Sequence, residues 1–185
     1  GGAAICGAML WYPDETIQHA GIVTGLGGYA GHSHKYKKKG GSGYLFRTST
    51  VQDFSGVTGA CLLVKTAVYD EMHGLDEQFA VAFNDVDFCL RVRDAGYRIA
   101  WTPYAELIHY ESKSRGGDEK DPVKAARFAA EQQRLYTIHG KENILDDPYY
   151  NPNLTRDRED FSESDDLRRL KEGRVTVRFR GGTLQ

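Results

Sequence analysis

The sequence predicts one domain of the α/β class built on part of a mostly parallel sheet. Apolar runs of strand length alternate with amphipathic runs of helix length, which is typical of this class. The 185 residues, 40% hydrophobic and 27% charged, can bury one sizeable core and are too few for two complete domains. We expect residues 1–140 to form the domain and residues 141–185 to be a polar extension that packs on it or leads to a further region.

The first part of the chain favours strands joined by a turn and a loop. An apolar run at 3–12 is followed by the turn-forming "PDET" and by a second apolar stretch at 17–23, which we interpret as a hairpin-like return. Residues 24–44 are rich in glycine and contain a basic run, which predicts a mobile surface loop. A further strand is expected at 56–65, leading into a short helix that Thr66 caps.

The middle of the chain predicts one helix and two strands. The segment "FNDVDFCLRVRDAG" has apolar residues at helical spacing and indicates a helix over 85–95 that ends at Gly96. Because a proline cannot donate to a β-ladder, Pro103 is expected to separate a strand at 97–103 from another at 105–111.

The last regular element expected with clear signals is a long helix. Asp121 can be its N-cap, Pro122 suits its first position and Gly140 can end it. Beyond about residue 141 the composition shifts to Asp, Arg, Glu, Asn and Pro, with one alternating segment, "RVTVRFR", at 174–180.

Composition and the absence of several motifs exclude classes of function. A net charge of −2 and a pI near 6.3 give no global basic field for nucleic acid. Cys6, Cys61 and Cys89 are far apart within apolar runs, which favours reduced thiols and a cytoplasmic compartment. The sequence contains no apolar run of membrane-spanning length, GxSxG, P-loop, GxGxxG, HExxH or zinc-ligand spacing, so those classes lack support.

Two carboxylates stand at the start of the helix at 85–95. If Asn84 caps it, Asp85 and Asp87 are its first and third residues and point to opposite sides, so they cannot share one proton. In the structural interpretation, Asn84 accepts a bond from the Asp87 amide and both carboxylates favour the positive end of the helix dipole. In the catalytic interpretation, Asp85 is a general base, while Asp87 joins the capping network or pairs with an arginine.

Other polar residues are candidates with equally plain alternatives. His109, between apolar neighbours, is either half-buried structure or one cation ligand that would need carboxylates or phosphate oxygens from elsewhere. The basic run at 32–39 is a solvated loop, a lid over an anionic substrate, or a polyanion or membrane-surface site. Arg115, in the loop after His109, either clamps a diphosphate or is exposed.

The order of several motifs resembles one enzyme family. "TGACLLVK" (58–65), "GLDEQF" (74–79), "FNDVDFCL" (83–90), "AGYRI" (95–99) and "LIHY" (107–110) occur in that order. Together they resemble the second half of the catalytic domain of inverting family 2 glycosyltransferases of the GT-A fold, which build bacterial surface polysaccharides. The flanking segments "AMLWYPDETIQHAGIV" and "DPYYNPNLTRDREDFS" extend the resemblance over roughly residues 3–162.

The resemblance implies a reaction and residues that perform it. Asp85 matches the family's catalytic base, which deprotonates an acceptor hydroxyl so that it attacks the anomeric carbon of a nucleotide sugar. His109 matches a histidine that helps bind the divalent cation, Mn²⁺ or Mg²⁺, on the donor diphosphate. Residues expected to contact substrates are Thr58, Gly59, Ala60, Asn84, Asp87 and Arg115. The acceptor would be a saccharide or a lipid-linked saccharide, which leaves peripheral association with the inner face of the cell membrane open.

The chain departs from the family in three respects. Many relatives have glutamate where Asn84 stands, and many have a second histidine where Tyr110 stands. The nucleotide-binding half, with its Asp-X-Asp metal motif, would precede the matched region. The resemblance therefore implies a partial GT-A fold, inactive alone, in which a mixed and mostly parallel sheet is flanked by helices. The alternative is a non-catalytic glycan- or nucleotide-binding or interaction module of the same fold.

Overall fold

The computed structural model describes residues 2–110 and 121–165, together with the backbone of the two short strands Arg178–Phe179 and Gly182–Thr183. Its central sheet contains five strands. They are β1 (Ile5–Trp11), β2 (Ile17–His19), β5 (Gln52–Asp53), β6 (Leu62–Val64) and β7 (Ile99–Ile108). A separate hairpin joins β3 (Ile22–Thr24) to β4 (Ala30–His32).

The sheet is mixed, and the expectation of a mostly parallel sheet is wrong. Its order is β2-β1-β7-β5, with β6 also pairing with β1. The β1–β7 pair is parallel, while β1–β2, β1–β6 and β5–β7 are antiparallel. The short turn between β1 and β2 permits only an antiparallel return, because a parallel crossover needs a dozen or more residues.

The glycine-rich segment at 24–44 is partly structured, which corrects the prediction of a mobile surface loop. It contains strand β4, and Ser33 and His34 after it are buried. The His34 ring accepts a bond from the Tyr44 amide at 3.0 Å, and the Ser33 amide donates to the Gly21 carbonyl at 2.9 Å. Glycine is required at position 21, where φ is 99° and an added Cβ would lie 2.7 Å from the Phe54 ring.

Strand β7 runs through Pro103, which corrects the prediction of two separate strands. Its pairing with β1 shifts between two neighbouring positions: Ala8 pairs with Thr102, whereas Met9 pairs with Glu106. Pro103 lies in the residues bulged out by this shift. A bulge releases a residue from the ladder, so the missing N–H of proline costs no pairing.

The observed helix ends agree with most of the ends predicted from the sequence. They are α1 (Thr66–Glu71), α2 (Asn84–Asp94), α3 (Pro122–His139) and α4 (Lys141–Leu145). The Asp121 side chain caps α3 by accepting the Val123 amide at 2.9 Å, and Gly140 follows α3 at φ 77° as predicted. Gly96 follows α2 at φ 86°.

Two predictions around α1 are wrong. Thr66 begins α1 but does not cap it, because the N-cap position falls on Lys65 and no side chain bonds there. Of the strand expected at 56–65, Leu62–Val64 forms β6, since Gly59–Cys61 forms a 3₁₀ turn that Thr58 caps.

Residues 141–165 pack against the rest of the domain. Its buried side chains are Ile144, Asp147, Tyr150, Leu154, Thr155 and Phe161. The Asp147 carboxylate accepts bonds from the Thr24 amide at 2.7 Å and the Thr24 hydroxyl at 3.2 Å. Of the alternating segment at 174–180, the described part is the strand Arg178–Phe179.

Within the described residues, no helix combines the length and apolar character needed to cross a membrane. Cys6, Cys61 and Cys89 are all free thiols, in agreement with the sequence, and burial raises the pKa of the Cys89 thiol to about 12.

Candidate functional site

The chain enters α2 through Phe83, which corrects the assignment of Asn84 as N-cap. Phe83 is in the left-handed region at φ 63° and has no side-chain capping bond. The Asp87 amide bonds to the Phe83 carbonyl at 2.8 Å, and the Asn84 side chain instead accepts from the Asp85 amide at 2.7 Å. Asn84 is therefore the first residue of α2, and its side chain bonds to the next backbone amide instead of capping the helix.

The Asp85 carboxylate is half-buried and fixed by two backbone amides. Its Oδ2 accepts from the Gly59 amide at 2.8 Å, and its Oδ1 accepts from the Val86 amide at 2.8 Å. Each carboxylate oxygen has two lone pairs, so each can still accept a proton or a hydrogen bond from a further group. The carboxylate is therefore held in one orientation and can still accept a proton.

The turn that holds Asp85 is the Thr58–Gly59–Ala60 segment. Thr58 is buried and its hydroxyl accepts the Ala60 amide at 3.3 Å, while Gly59 and Ala60 are exposed. The structure thus places Thr58, Gly59 and Ala60, which the family resemblance assigns to substrate contact, next to the Asp85 carboxylate.

Behind this turn lies a histidine from the apolar stretch at 17–23. His19, at the end of β2, is 0% exposed, and its Nε2 accepts the amides of Gly21 and Thr58, each at 3.3 Å. Its ring meets that of His32 at a centroid distance of 4.9 Å and an angle of 79°. The available signal was the polar "QH" pair within the apolar stretch at 17–23.

The environment keeps both of these rings neutral near pH 7. Burial lowers the pKa of His19 well below its usual value, and the nearby His32 and His109 lower it further. Burial also lowers the pKa of His32, with Lys35 adding to the shift, while the Gln18 carbonyl, Glu159 and Asp85 oppose it. The negative charge of Asp85 therefore acts on His32.

His109 follows β7 directly and carries an unsatisfied nitrogen. Its amide donates to the Trp11 carbonyl at 2.8 Å. Its Nδ1 is buried and has no hydrogen-bond partner in the part of the chain that the structure describes. Across those same residues, no group of three His, Cys, Asp or Glu side chains could hold a metal ion. His109 thus offers one free ligand atom without the rest of a coordination set.

Asp87 has a structural environment. Its carboxylate is 1% exposed and bonds to Arg91 at 2.8 Å and to His139 at 2.8 Å. Arg91 also donates to the carbonyls of Met72 at 2.6 Å and Gly74 at 2.9 Å. The arginine pairing suggested by the sequence is observed, and the predicted substrate contact of Asp87 does not fit this burial. Arg115 lies outside the described residues.

The basic run at 32–39 divides into a packed part and an exposed part. His34 is buried, whereas Lys37, Lys38 and Lys39 are exposed. Lys39 bonds to Glu106 at 2.8 Å and lies 4.9 Å from the centre of the Trp11 ring. The use of the basic run at 32–39 as a lid or as a polyanion site stays a prediction.

These features define an α/β domain with an oriented carboxylate beside a histidine pair. Over 161 residues, 86% of this chain, it is 48% identical to an uncharacterized protein of Sinorhizobium fredii and covers 18% of that protein. Over 150 residues, 80% of the chain, it is 35% identical to an O-antigen biosynthesis protein of Myxococcus xanthus, of which it covers 11%.

A shorter match involves a named enzyme. Over 80 residues, 43% of the chain, it is 32% identical to an N-acetylglucosaminyl-diphospho-decaprenol L-rhamnosyltransferase of Mycobacterium tuberculosis and covers 24% of it. The chain thus spans a quarter or less of each of these relatives. No family model matches the sequence, and no solved structure matches it significantly.

Proposed function

We propose that this chain is the acceptor-side part of a glycosyltransferase that moves a sugar from a nucleotide-sugar donor to a hydroxyl of a saccharide or lipid-linked acceptor. The observation that carries the proposal is the Asp85 carboxylate, which two amides orient at the entry of α2. Two of the relatives support it by name, one in O-antigen biosynthesis and one as a rhamnosyltransferase.

At a finer level, we propose an inverting family 2 enzyme of the GT-A fold with Asp85 as its base. Asp85 takes the proton of the acceptor hydroxyl, whose oxygen forms a bond to the anomeric carbon as the bond from that carbon to the diphosphate oxygen breaks. The nucleoside diphosphate leaves with the electron pair, on the face of the sugar opposite the attack. The carboxylate can accept this proton because both oxygens keep free lone pairs.

A divalent cation, Mn²⁺ or Mg²⁺, fits this proposal through His109. Its buried Nδ1 has no partner among the described residues, and a cation would satisfy it. When bound, the cation would neutralise the charge that develops on the departing diphosphate. The carboxylate ligands would come from sequence outside this chain, and Arg115 is expected on the diphosphate side.

The alternative is a non-catalytic glycan- or nucleotide-binding module. One observation favours it: Asp85 already bonds to Gly59 and Val86, so its carboxylate can be explained as a tie between the turn and α2. The two functions differ in what the loss of the negative charge does, because a tie affects stability and a base affects turnover.

The test is sugar transfer by the complete gene product that carries this sequence, with Mn²⁺ and a panel of nucleotide sugars. We expect Asp85→Asn to lower kcat by about 10²–10⁴-fold with little change in donor KM. Asp94→Asn, an exposed change at the other end of α2, is the matched control. Near-normal turnover by Asp85→Asn, with only a lower Tm, would favour the binding module.

A further inference from the structure

We infer that His19 is a positioning residue for Asp85, an inference that rests on the proposed role of Asp85 as the base. His19 accepts the Thr58 amide at 3.3 Å, and the next amide along the turn, that of Gly59, donates to Asp85 at 2.8 Å. One buried imidazole therefore fixes the turn that orients the base.

The proton on His19 can be assigned from its partners. Nε2 of His19 accepts two amide N–H groups, so it carries no proton and the neutral ring holds its proton on Nδ1. This Nδ1 lies 3.3 Å from Nδ1 of His32, which itself lies 2.8 Å from the Gln18 carbonyl. Nδ1 of His32 accepts from His19 in one tautomer of its ring and donates to the Gln18 carbonyl in the other.

This assignment separates positioning from proton transfer. The only lone pair in the His19 ring plane is occupied by the Gly21 and Thr58 amides, so the ring has no site free to take a substrate proton. The ring is also completely buried, which keeps it from contact with a substrate. His19 thus acts on the reaction only through the turn at 58–60.

Histidine suits this position because it joins two chain segments through one atom. The Gly21 amide lies in the connection between β2 and β3, and the Thr58 amide begins the 3₁₀ turn. Both amides are buried, and a buried N–H without a partner is costly. Without the His19 acceptor, we expect the Thr58 amide to bond elsewhere. The Gly59 N–H would then no longer point at the Asp85 carboxylate.

Two variants of His19 distinguish the loss of the hydrogen-bond acceptor from a change in side-chain volume. His19→Gln places an oxygen near the position of Nε2 and can still accept, whereas His19→Leu is apolar and cannot. The first measurement uses this chain alone: amide hydrogen exchange at Thr58 and Gly59, followed by NMR. We expect exchange to accelerate at least about tenfold in His19→Leu and to return toward the parent rate in His19→Gln.

The second measurement is sugar transfer in the complete gene product. We expect His19→Leu to lower kcat by about 10–100-fold with donor KM within about twofold, and His19→Gln to recover most of the loss. Full turnover by His19→Leu, or equal losses in the Leu and Gln variants, would overturn the inference. Failure of the proposed function looks different, because Asp85→Asn itself would then retain turnover.

If His19→Leu does not fold, Gly59 tests the same path. Thr58, at φ −70° and ψ 141°, has the conformation favoured before a proline, and Gly59 is the first residue of a 3₁₀ turn. Gly59→Pro therefore suits the backbone and removes the N–H, but its ring Cδ also displaces the Asp85 Oδ2 that lies 2.8 Å from that nitrogen, while Gly59→Ala keeps the N–H and places Cβ 3.5 Å from the Asp85 Cβ. We expect kcat of the Pro variant to be at least about tenfold below that of the Ala variant. Equal kcat values would show that the Gly59 bond does not position the base.

Discussion

Asp87 and His139 are 52 positions apart in the sequence, and the Asp87 Oδ1 lies 2.8 Å from the His139 Nε2. The bond joins the first turn of α2 to the last residue of α3. Arg91, which pairs with the other carboxylate oxygen, continues the network to the carbonyls after α1. This network fixes the orientation of α2, and α2 carries Asp85.

The first prediction concerns this network. Asp87→Asn removes the charge between Arg91 and His139, and we expect the free energy of unfolding to fall by about 2–4 kcal/mol, because breaking a buried pair leaves its partners uncompensated. Urea unfolding at pH 7 measures it. Asp94→Asn, whose carboxyl is largely exposed, is the control and should stay within about 0.5 kcal/mol. Equal effects of the two changes would contradict the structural role of Asp87.

The second prediction concerns His34 and pH. Burial, aided by Lys37 and Arg47, lowers the pKa of His34 to about 4, while its Nε2 accepts the Tyr44 amide. The unfolded chain binds this proton near pH 6.5, so the stabilisation is fully present above that pH and is lost as the pH falls toward 4. The loss amounts to roughly 2–3 kcal/mol.

Urea unfolding at pH 7.5, 6 and 5 measures this dependence. His34→Gln keeps an acceptor but cannot titrate, so its stability should fall less over this range than that of the parent chain. The buried His19 and the partly buried His32, whose pKa values are also lowered, leave part of the dependence in place. Exposed His73→Gln is the control and should follow the parent, whereas a His34→Gln curve parallel to the parent would refute the assignment.

The third prediction compares two histidines with different surroundings. Nδ1 of His109 is buried without a described partner, whereas Nε2 of His139 bonds to Asp87. An apolar replacement removes an unsatisfied polar atom in the first case and strands a carboxylate in the second. We expect His109→Leu to leave the free energy of unfolding unchanged within about 0.5 kcal/mol or to raise it, and His139→Leu to lower it by about 2–4 kcal/mol.

Thermal and urea unfolding of this chain check both histidine variants without any assay of activity. A large loss of stability in His109→Leu would mean that its ring contributes to packing more than its free nitrogen costs. In the complete gene product, His109→Leu should raise the Mn²⁺ concentration needed for half-maximal sugar transfer if His109 is a cation ligand.

The fold could be predicted where local signals act alone. Asp121, Pro122 and Gly140 define α3 by short-range chemistry, and Gly96 follows α2 in the same way. Strand pairing was harder, because the direction of β5 and β6 depends on distant partners. Pro103 was misleading because only the register shift against β1 makes room for it.

The candidate site shows the same division between local and long-range information. The motif order grouped Asp85 with Thr58, Gly59 and Ala60, and the structure joins them through the Gly59 amide. His19 was missed because its role comes from an amide 39 positions away, which no local pattern indicates. The N-cap assignment failed by one residue because Phe83 adopts a left-handed conformation rare for aromatic side chains.

The last prediction concerns the close approach of β1 to the site turn. At Gly7, an added Cβ would lie 2.5 Å from the Cβ of Val57, which is completely buried and directly precedes Thr58. Real Cβ atoms do not come so close, so Gly7→Ala must displace β1 or Val57. We expect the free energy of unfolding to fall by about 1–3 kcal/mol, the usual cost of overpacking a core, and amide exchange at Thr58 to accelerate. Gly2→Ala, where no atom lies within 4 Å, is the control and should match the parent chain in both measurements. A Gly7→Ala chain with parental stability would show that the strand and Val57 can separate without cost.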